Sequence, residues 1–148
     1  MEVRPPLPAE RFACVRLLRD AHAAGGLPFR FSAPHAMALV DKHMIDPDRL
    51  GLIMSDGAGP VGILLASAQE HPFAAVRYAF ETVWWIDPSA RGQGAGAMLE
   101  AYEAWAAERG CLFAGLAALA SFPRAGVIYR RRGYRETETH FLKPLAAE

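Results

Sequence analysis

The sequence has little of what marks secreted, membrane-spanning or nucleic-acid-coating proteins. Cysteine occurs twice, at Cys14 and Cys111, too few for a disulfide framework or a zinc cage. Both cysteines lie among apolar neighbours, where a buried free thiol is the ordinary state. Net charge is absent. Sixteen Lys and Arg balance sixteen Asp and Glu, so the basic excess used in bulk nucleic-acid binding is missing. The longest uncharged stretch, Gly110 to Pro123, is about 14 residues, short of the ~18 that a membrane span needs. The N-terminus carries Glu2 and early prolines in place of a basic segment followed by an apolar one, so no secretory leader is read. Internal repeats, low-complexity tracts and linker-like Pro/Gly stretches are also lacking. What is present is apolar: 52% of the 148 residues are hydrophobic, enough to bury a core and to exclude disorder. The expectation is one reduced, cytoplasmic domain over residues 1–148, with no membrane contact.

The periodicity then orders the elements. A short strand near Glu2–Arg4 ends at Pro5-Pro6, and from Pro8 the apolar residues take helical spacing (Phe12, Val15, Leu18) until Gly25-Gly26. Ser32 is a suitable N-cap for a second helix to about Ile45, with Met37, Val40 and Met44 on one face. Leu52–Ser55 and Val61–Ala68, separated by Asp56-Gly57, read as a hairpin, and Val76–Ile86 as a long third strand. Gly94 to about Arg109 is a helix with Leu99, Tyr102, Trp105 and Ala106 as its apolar stripe and Gly110 as its stop. The apolar run Cys111–Leu119 predicts a strand covered on both faces. A short helix from Pro123 to Gly133 and a last strand, Tyr134–Leu142, follow. This order is mixed α/β, with an antiparallel first half and one strand–helix–strand crossover.

Between the third strand and its helix lies Arg91-Gly92-Gln93-Gly94-Ala95-Gly96. Glycines let a backbone approach a ligand closely, and the first-turn amides of a helix lack internal partners. With the helix dipole they form an anion site suited to a phosphate or pyrophosphate. A plain tight turn is the competing reading. A P-loop is excluded, because Gly96-Ala97 leads to Met98 and not to Lys-Ser/Thr. Gly92, Gly94 and Ala97 formally satisfy a dinucleotide fingerprint, but the acid needed about 20 residues on to hold a ribose is missing between Arg109 and Arg124.

Ile86-Asp87-Pro88-Ser89-Ala90-Arg91-Gly92-Gln93-Gly94-Ala95-Gly96 resembles the acyl-CoA site of the GNAT N-acetyltransferase superfamily, and Tyr129-Arg130-Arg131-Arg132-Gly133-Tyr134 is similar to that family's Tyr-x-x-x-Gly-Phe/Tyr element. The resemblance covers nearly the whole chain and is most specific between residues 76 and 134. It implies a GNAT-like mixed central sheet of six to seven strands flanked by about four helices. It implies acetyl-CoA as cosubstrate, no metal, and direct transfer of acetyl to a primary amine on a small molecule or peptide; a homodimer is compatible with it. By position, the amides of Gln93, Gly94, Ala95, Gly96 and Ala97 would hold the coenzyme pyrophosphate with Arg91 adding charge. The backbone at Trp84 and Ile86 would pair with pantetheine, and Tyr129 would act as general acid. Family members often carry a Glu at the position of Phe80; here the acid is Glu81, one residue on. A one-residue slip changes face unless a bulge intervenes. Glu81 or an ordered water is then the base. Phe122 stands where many members have Asn.

Other features carry plainer readings beside functional ones. Arg130, Arg131 and Arg132 are either a solvated helix end or a contact to a coenzyme phosphate. Glu136, Glu138 and His140 share one strand face, which fits a polar outer surface better than a metal site. Tyr78, Phe80, Trp84 and Trp85 suit either a core or an acceptor pocket. Phe29, Phe31 and His35 lie where the resembled family builds acceptor specificity, and this loop is apolar and not acidic. A polyamine is thereby disfavoured against an acceptor with an apolar or aromatic part. The alternative from a different class is a non-catalytic acyl-CoA-binding or sensor protein, motivated by the shifted Glu and the missing Asn.

Overall fold

The computed structural model describes residues 1–146. Its strands are β1 (Glu2–Arg4), β2 (Arg49–Ser55), β3 (Pro60–Glu70), β4 (Arg77–Ile86) and β5 (Cys111–Gly115). Its helices are α1 (Arg11–Gly25), α2 (Ala33–Ile45), α3 (Ala95–Glu108) and α4 (Arg124–Arg131), with short 3-10 turns at Pro8–Glu10 and Pro88–Ala90. The sheet runs β1-β2-β3-β4-β5, antiparallel except for the parallel β4–β5 pair that α3 connects. The expected mixed α/β order and four helices are present.

Alternation along the central strands makes two cores. Ile53, Ile63 and Leu65 face α1 and α2, where Cys14, Val15, Leu17, Leu18, Ala36 and Val40 close over them. Leu52, Met54, Leu64 and Ala66 face Met98, Leu99, Tyr102 and Ala106 of α3 and Tyr129 of α4. The period of two in the strands sets both layers at once. Ser32 caps α2 by accepting the His35 amide at 3.3 Å, and Gly26, at φ 63°, ends α1. Arg16 of α1 grips Asp87 through two bonds of 2.9 and 3.0 Å, and Asp87 also accepts from the Trp85 indole at 3.1 Å. The end of β4 is thus tied to α1.

Four sequence expectations need correction. Among the described residues the sheet has five strands, not six to seven. Tyr134–Leu142 forms no strand. The end of α4 is closed by Tyr134 N–H to Tyr129 O at 3.0 Å and Gly133 N–H to Arg130 O at 3.1 Å, with Gly133 at φ 92°. This turn sends the Tyr134 hydroxyl to Glu103 of α3, away from the β5 edge. Residues Arg135 to His140 beyond it are polar and exposed, so a strand there would bury nothing. β5 is shorter than the apolar run and is not covered on both faces; Leu112 is 73% exposed. Finally, Phe12 lies on the solvent side of α1, 78% exposed, because Cys14 and Leu17 take the core positions.

Candidate functional site

β4 and β5 pair only from Arg77–Cys111 to Phe80–Gly115, and beyond that point they separate. On its other edge β4 continues along β3, with a bulge where Leu65 faces Val83 and Ala66 faces Glu81, leaving Thr82 without a partner across the ladder. The extra residue shifts the alternation by one position. Glu81 therefore shares a face with Ala79, Trp84 and Ile86, the face toward α3 and Tyr129. Asp87 N–H reaches Val61 O at 2.8 Å, so by antiparallel alternation the peptide groups of Trp84 and Ile86 point away from β3 into the gap.

Two side chains bridge that gap to one residue. Glu81 Oε1 accepts the Ala117 amide at 3.0 Å, and the Tyr129 hydroxyl donates to the Ala117 carbonyl at 2.7 Å. Burial raises the Glu81 carboxyl from its ordinary 4.5 to about 7, although the Ala117 amide works in the opposite direction. Burial, and then the nearby Glu81 charge, push the Tyr129 phenol above its ordinary range, so it stays protonated at neutral pH. The Tyr129 ring stacks on Trp84 at 5.8 Å. A carboxyl that titrates near neutrality beside a protonated phenol is a pair able to accept one proton and donate another.

The glycine turn closes the end of the gap. The first helical bond of α3 is Met98 N–H to Gly94 O, and the amides of Gly94, Ala95, Gly96 and Ala97 make no hydrogen bond to the described residues. Gln93 differs from them: its amide donates to Ala90 O at 3.3 Å. Gly94 sits at φ 74°, and a Cβ there would lie 2.6 Å from Met54 Sδ, so glycine is required on both counts. At Gly92 and Gly96 a Cβ would meet nothing within 4 Å, so this side of the turn is open to an anion. Arg91 donates from Nε to Ile86 O at 3.0 Å, with its guanidinium between the Trp85 and Phe122 rings, 4.9 Å from each centroid. Unpaired amides, an open rim and a fixed guanidinium suit a diphosphate ester, which makes the turn a fitting cradle for coenzyme A.

These parts border one cavity of about 1000 Å³. Glu81, Trp84, Ile86, Arg91, Gly92, Ala95 and Tyr129 line it, whereas Gln93, Gly94, Gly96 and Ala97 do not. Its opposite end is built by α1, the α1–α2 loop and α2, through His22, Phe29, Phe31 and His35. Sequence reasoning overlooked Ala117, whose role lies wholly in its backbone and leaves no residue-type signal. It also overlooked His22 and the Arg91–Phe122 stack, which join positions far apart in the chain. The basic run is exposed, and two of its three arginines pair within the chain: Arg132 forms a two-pronged pair with Glu103 at 2.7 and 3.1 Å, and Arg130 meets Glu136 at 3.4 Å.

The chain matches the model of the acetyltransferase (GNAT) family over residues 15–134. No curated protein matches it in sequence. Among solved structures, it superposes on a transcriptional regulator from Bacillus halodurans C-125 with a TM-score of 0.78 at 19% identity, covering 97% of this chain and 99% of the other. An aminoglycoside antibiotic 6'-N-acetyltransferase from Acinetobacter haemolyticus gives 0.75 at 17% identity, with both chains covered fully at 100%. A ribosomal-protein-alanine N-acetyltransferase from Brucella melitensis biovar Abortus 2308 gives 0.72 at 14% identity over 98% and 100%. At such identities the likeness is one of fold.

Proposed function

The chain belongs to the acetyltransferase (GNAT) family, and on that premise we propose that it transfers an acetyl group from acetyl-CoA to a primary amine by direct attack. The observation that carries this reading is the junction of three features: a glycine turn with four unpaired amides at Gly94–Ala97 that reaches the cavity through Gly92 and Ala95, the parted β4–β5 edge, and Glu81 and Tyr129 joined through Ala117. When bound, acetyl-CoA supplies a thioester carbonyl and a thiolate leaving group. The amides of Gly94, Ala95, Gly96 and Ala97, with Arg91, would hold its diphosphate. The inward-facing peptide groups of Trp84 and Ile86 would align the pantetheine amides as an added strand; the Ile86 carbonyl already accepts from Arg91, which leaves its amide for that purpose.

Glu81, ionising near neutrality, takes a proton from the acceptor ammonium at Oε, directly or through a water. Tyr129 then supplies its hydroxyl proton to the departing sulfur. A phenol serves this role because it stays protonated at neutral pH and can pass its proton to the sulfur as the carbon–sulfur bond breaks, regaining one from water afterwards.

The test is a thermal-shift titration with acetyl-CoA, CoA, NAD and ATP, with Gly96→Trp, on the open side of the turn, as the blocked control, followed by thiol release on a panel of amines. A ligand at ~100 times its Kd stabilises the fold by ~2.7 kcal/mol. The expected result is a shift with the CoA species alone, lost in Gly96→Trp, and amine-dependent thiol release. Absence of a CoA shift, or a larger one with NAD, overturns the reading. A CoA shift without turnover on any amine favours a binding module that does not catalyse.

A further inference from the structure

The acceptor end of the cavity has a charge and shape that select among amines. Among the described residues, Glu81 is the single carboxylate lining the whole cavity. In the proposed function Glu81 meets the reacting nitrogen, so a second ammonium on the same acceptor finds no counter-charge there. Burying a cation without one is costly. The other charges at this end are positive. Arg30 of the α1–α2 loop lines the cavity and forms no ion pair or side-chain hydrogen bond among the described residues. Arg19, which does not line the cavity, holds its guanidinium 5.6 Å from the ring centre of Phe31, which does.

Between these charges the wall is aromatic. His22 packs against Phe29 at 5.2 Å and Phe31 at 5.7 Å, and both phenylalanines border the cavity with it. The His22 Nε2 atom is buried without a hydrogen-bond partner and is sealed from the cavity, so this residue serves the wall through its ring face. The unpaired Arg30 guanidinium is the group at this end that suits an anionic oxygen.

We propose that the acceptor is a primary amine carried on an aromatic or apolar body that also bears a carboxylate, read by Arg30, and not a polycation. This rests on the acetyltransferase reading of the same cavity. It adds the substrate class, which the glycine turn and Tyr129 do not address.

The experiment measures binding of three amines to the full-length protein saturated with CoA, by calorimetry. They are 4-(aminomethyl)benzoate, benzylamine and spermidine, chosen to share a primary amine and differ in body and charge. The carboxylated amine is expected to bind about tenfold tighter than benzylamine, as one charge-assisted contact provides. Spermidine should be the weakest. Arg30→Glu should collapse the ratio between the two aromatic amines, Arg30→Lys should retain most of it, and His22→Phe, which keeps the ring packing, should leave it unchanged. Thermal melting of each variant controls for folding. Preference for spermidine, equal binding of the two aromatic amines, or a ratio untouched by Arg30→Glu overturns the proposal, while leaving acetyl transfer standing if CoA binds. Failure of CoA itself to bind overturns the acetyltransferase reading, and this inference with it.

Discussion

Replacing Glu81 with Gln should make the protein more stable and less active, and pH should control both. The Glu81 carboxyl ionises near 7 in the folded chain against an ordinary 4.5, because it is buried between β4 and the Ala117 loop. A carboxyl whose folded value is raised is held as the acid by the fold. Ionising it costs stability progressively as pH climbs from 4.5 to about 7, and above that the cost is constant. The full displacement corresponds to about 3 kcal/mol, of which roughly 2 kcal/mol accrues between pH 5 and pH 8. Gln keeps an oxygen for the Ala117 amide and removes the charge. It loses at most about 1 kcal/mol from replacing a charge-assisted bond with a neutral one.

Urea denaturation of both proteins at pH 5 and pH 8 is the assay. Glu81→Gln should gain roughly 2 kcal/mol on the wild type between the two pH values, with the wild type losing stability as pH rises. In parallel, wild-type kcat/KM should rise about tenfold per pH unit below 7 and flatten above it, and the variant should lack that limb. Equal destabilisation of the variant at both pH values would refute the buried, proton-holding carboxyl. A wild-type pH limb that persists in Glu81→Gln would remove this residue as the base.

Three further outcomes are expected. Gly94→Ala places a side chain at φ 74° with its Cβ 2.6 Å from Met54 Sδ, and should cost about 1–3 kcal/mol in a urea melt while weakening CoA binding in a titration. Tyr129→Phe should lower kcat ~10²-fold with CoA affinity kept, and should lose about 1 kcal/mol from the missing bond to Ala117 O; unchanged turnover removes the phenol from the chemistry. Arg16→Ala unties α1 from Asp87 at the end of β4, and because the pair is half open to water the loss should be about 1 kcal/mol or less by thermal melting.

The elements on either side of the site were legible because their signals are local. Gly26 and Gly110 mark helix ends, Ser32 caps α2, and Asp56-Gly57 turns the hairpin; each needs only its own neighbours. The glycine turn was legible for the same reason, since free amides at the start of a helix follow from chain geometry alone. Glu81 was only half legible. The sequence shows an acid one position from the expected place, and the β3–β4 bulge at Thr82 decides which face it joins. A bulge depends on how two strands register, and nothing within β4 specifies it.

The last strand failed for a related cause. The alternation in Tyr134–Leu142 is a statement about period, while strand formation needs a partner edge and something to bury. Gly133 and Glu103 turn Tyr134 onto α3, and the polar stretch after it offers no apolar face. What the amino-acid sequence determined by itself was therefore the element order, the caps and the anion-binding turn, all set by contacts within about five residues. Tertiary structure alone decided the bulge that aims Glu81, the shared latch of Glu81 and Tyr129 on Ala117, the stacking of Arg91 between Trp85 and Phe122, and the aromatic wall around His22. These join groups between 6 and 36 positions apart, and no local propensity encodes such distances; packing of the two layers on a parted sheet does.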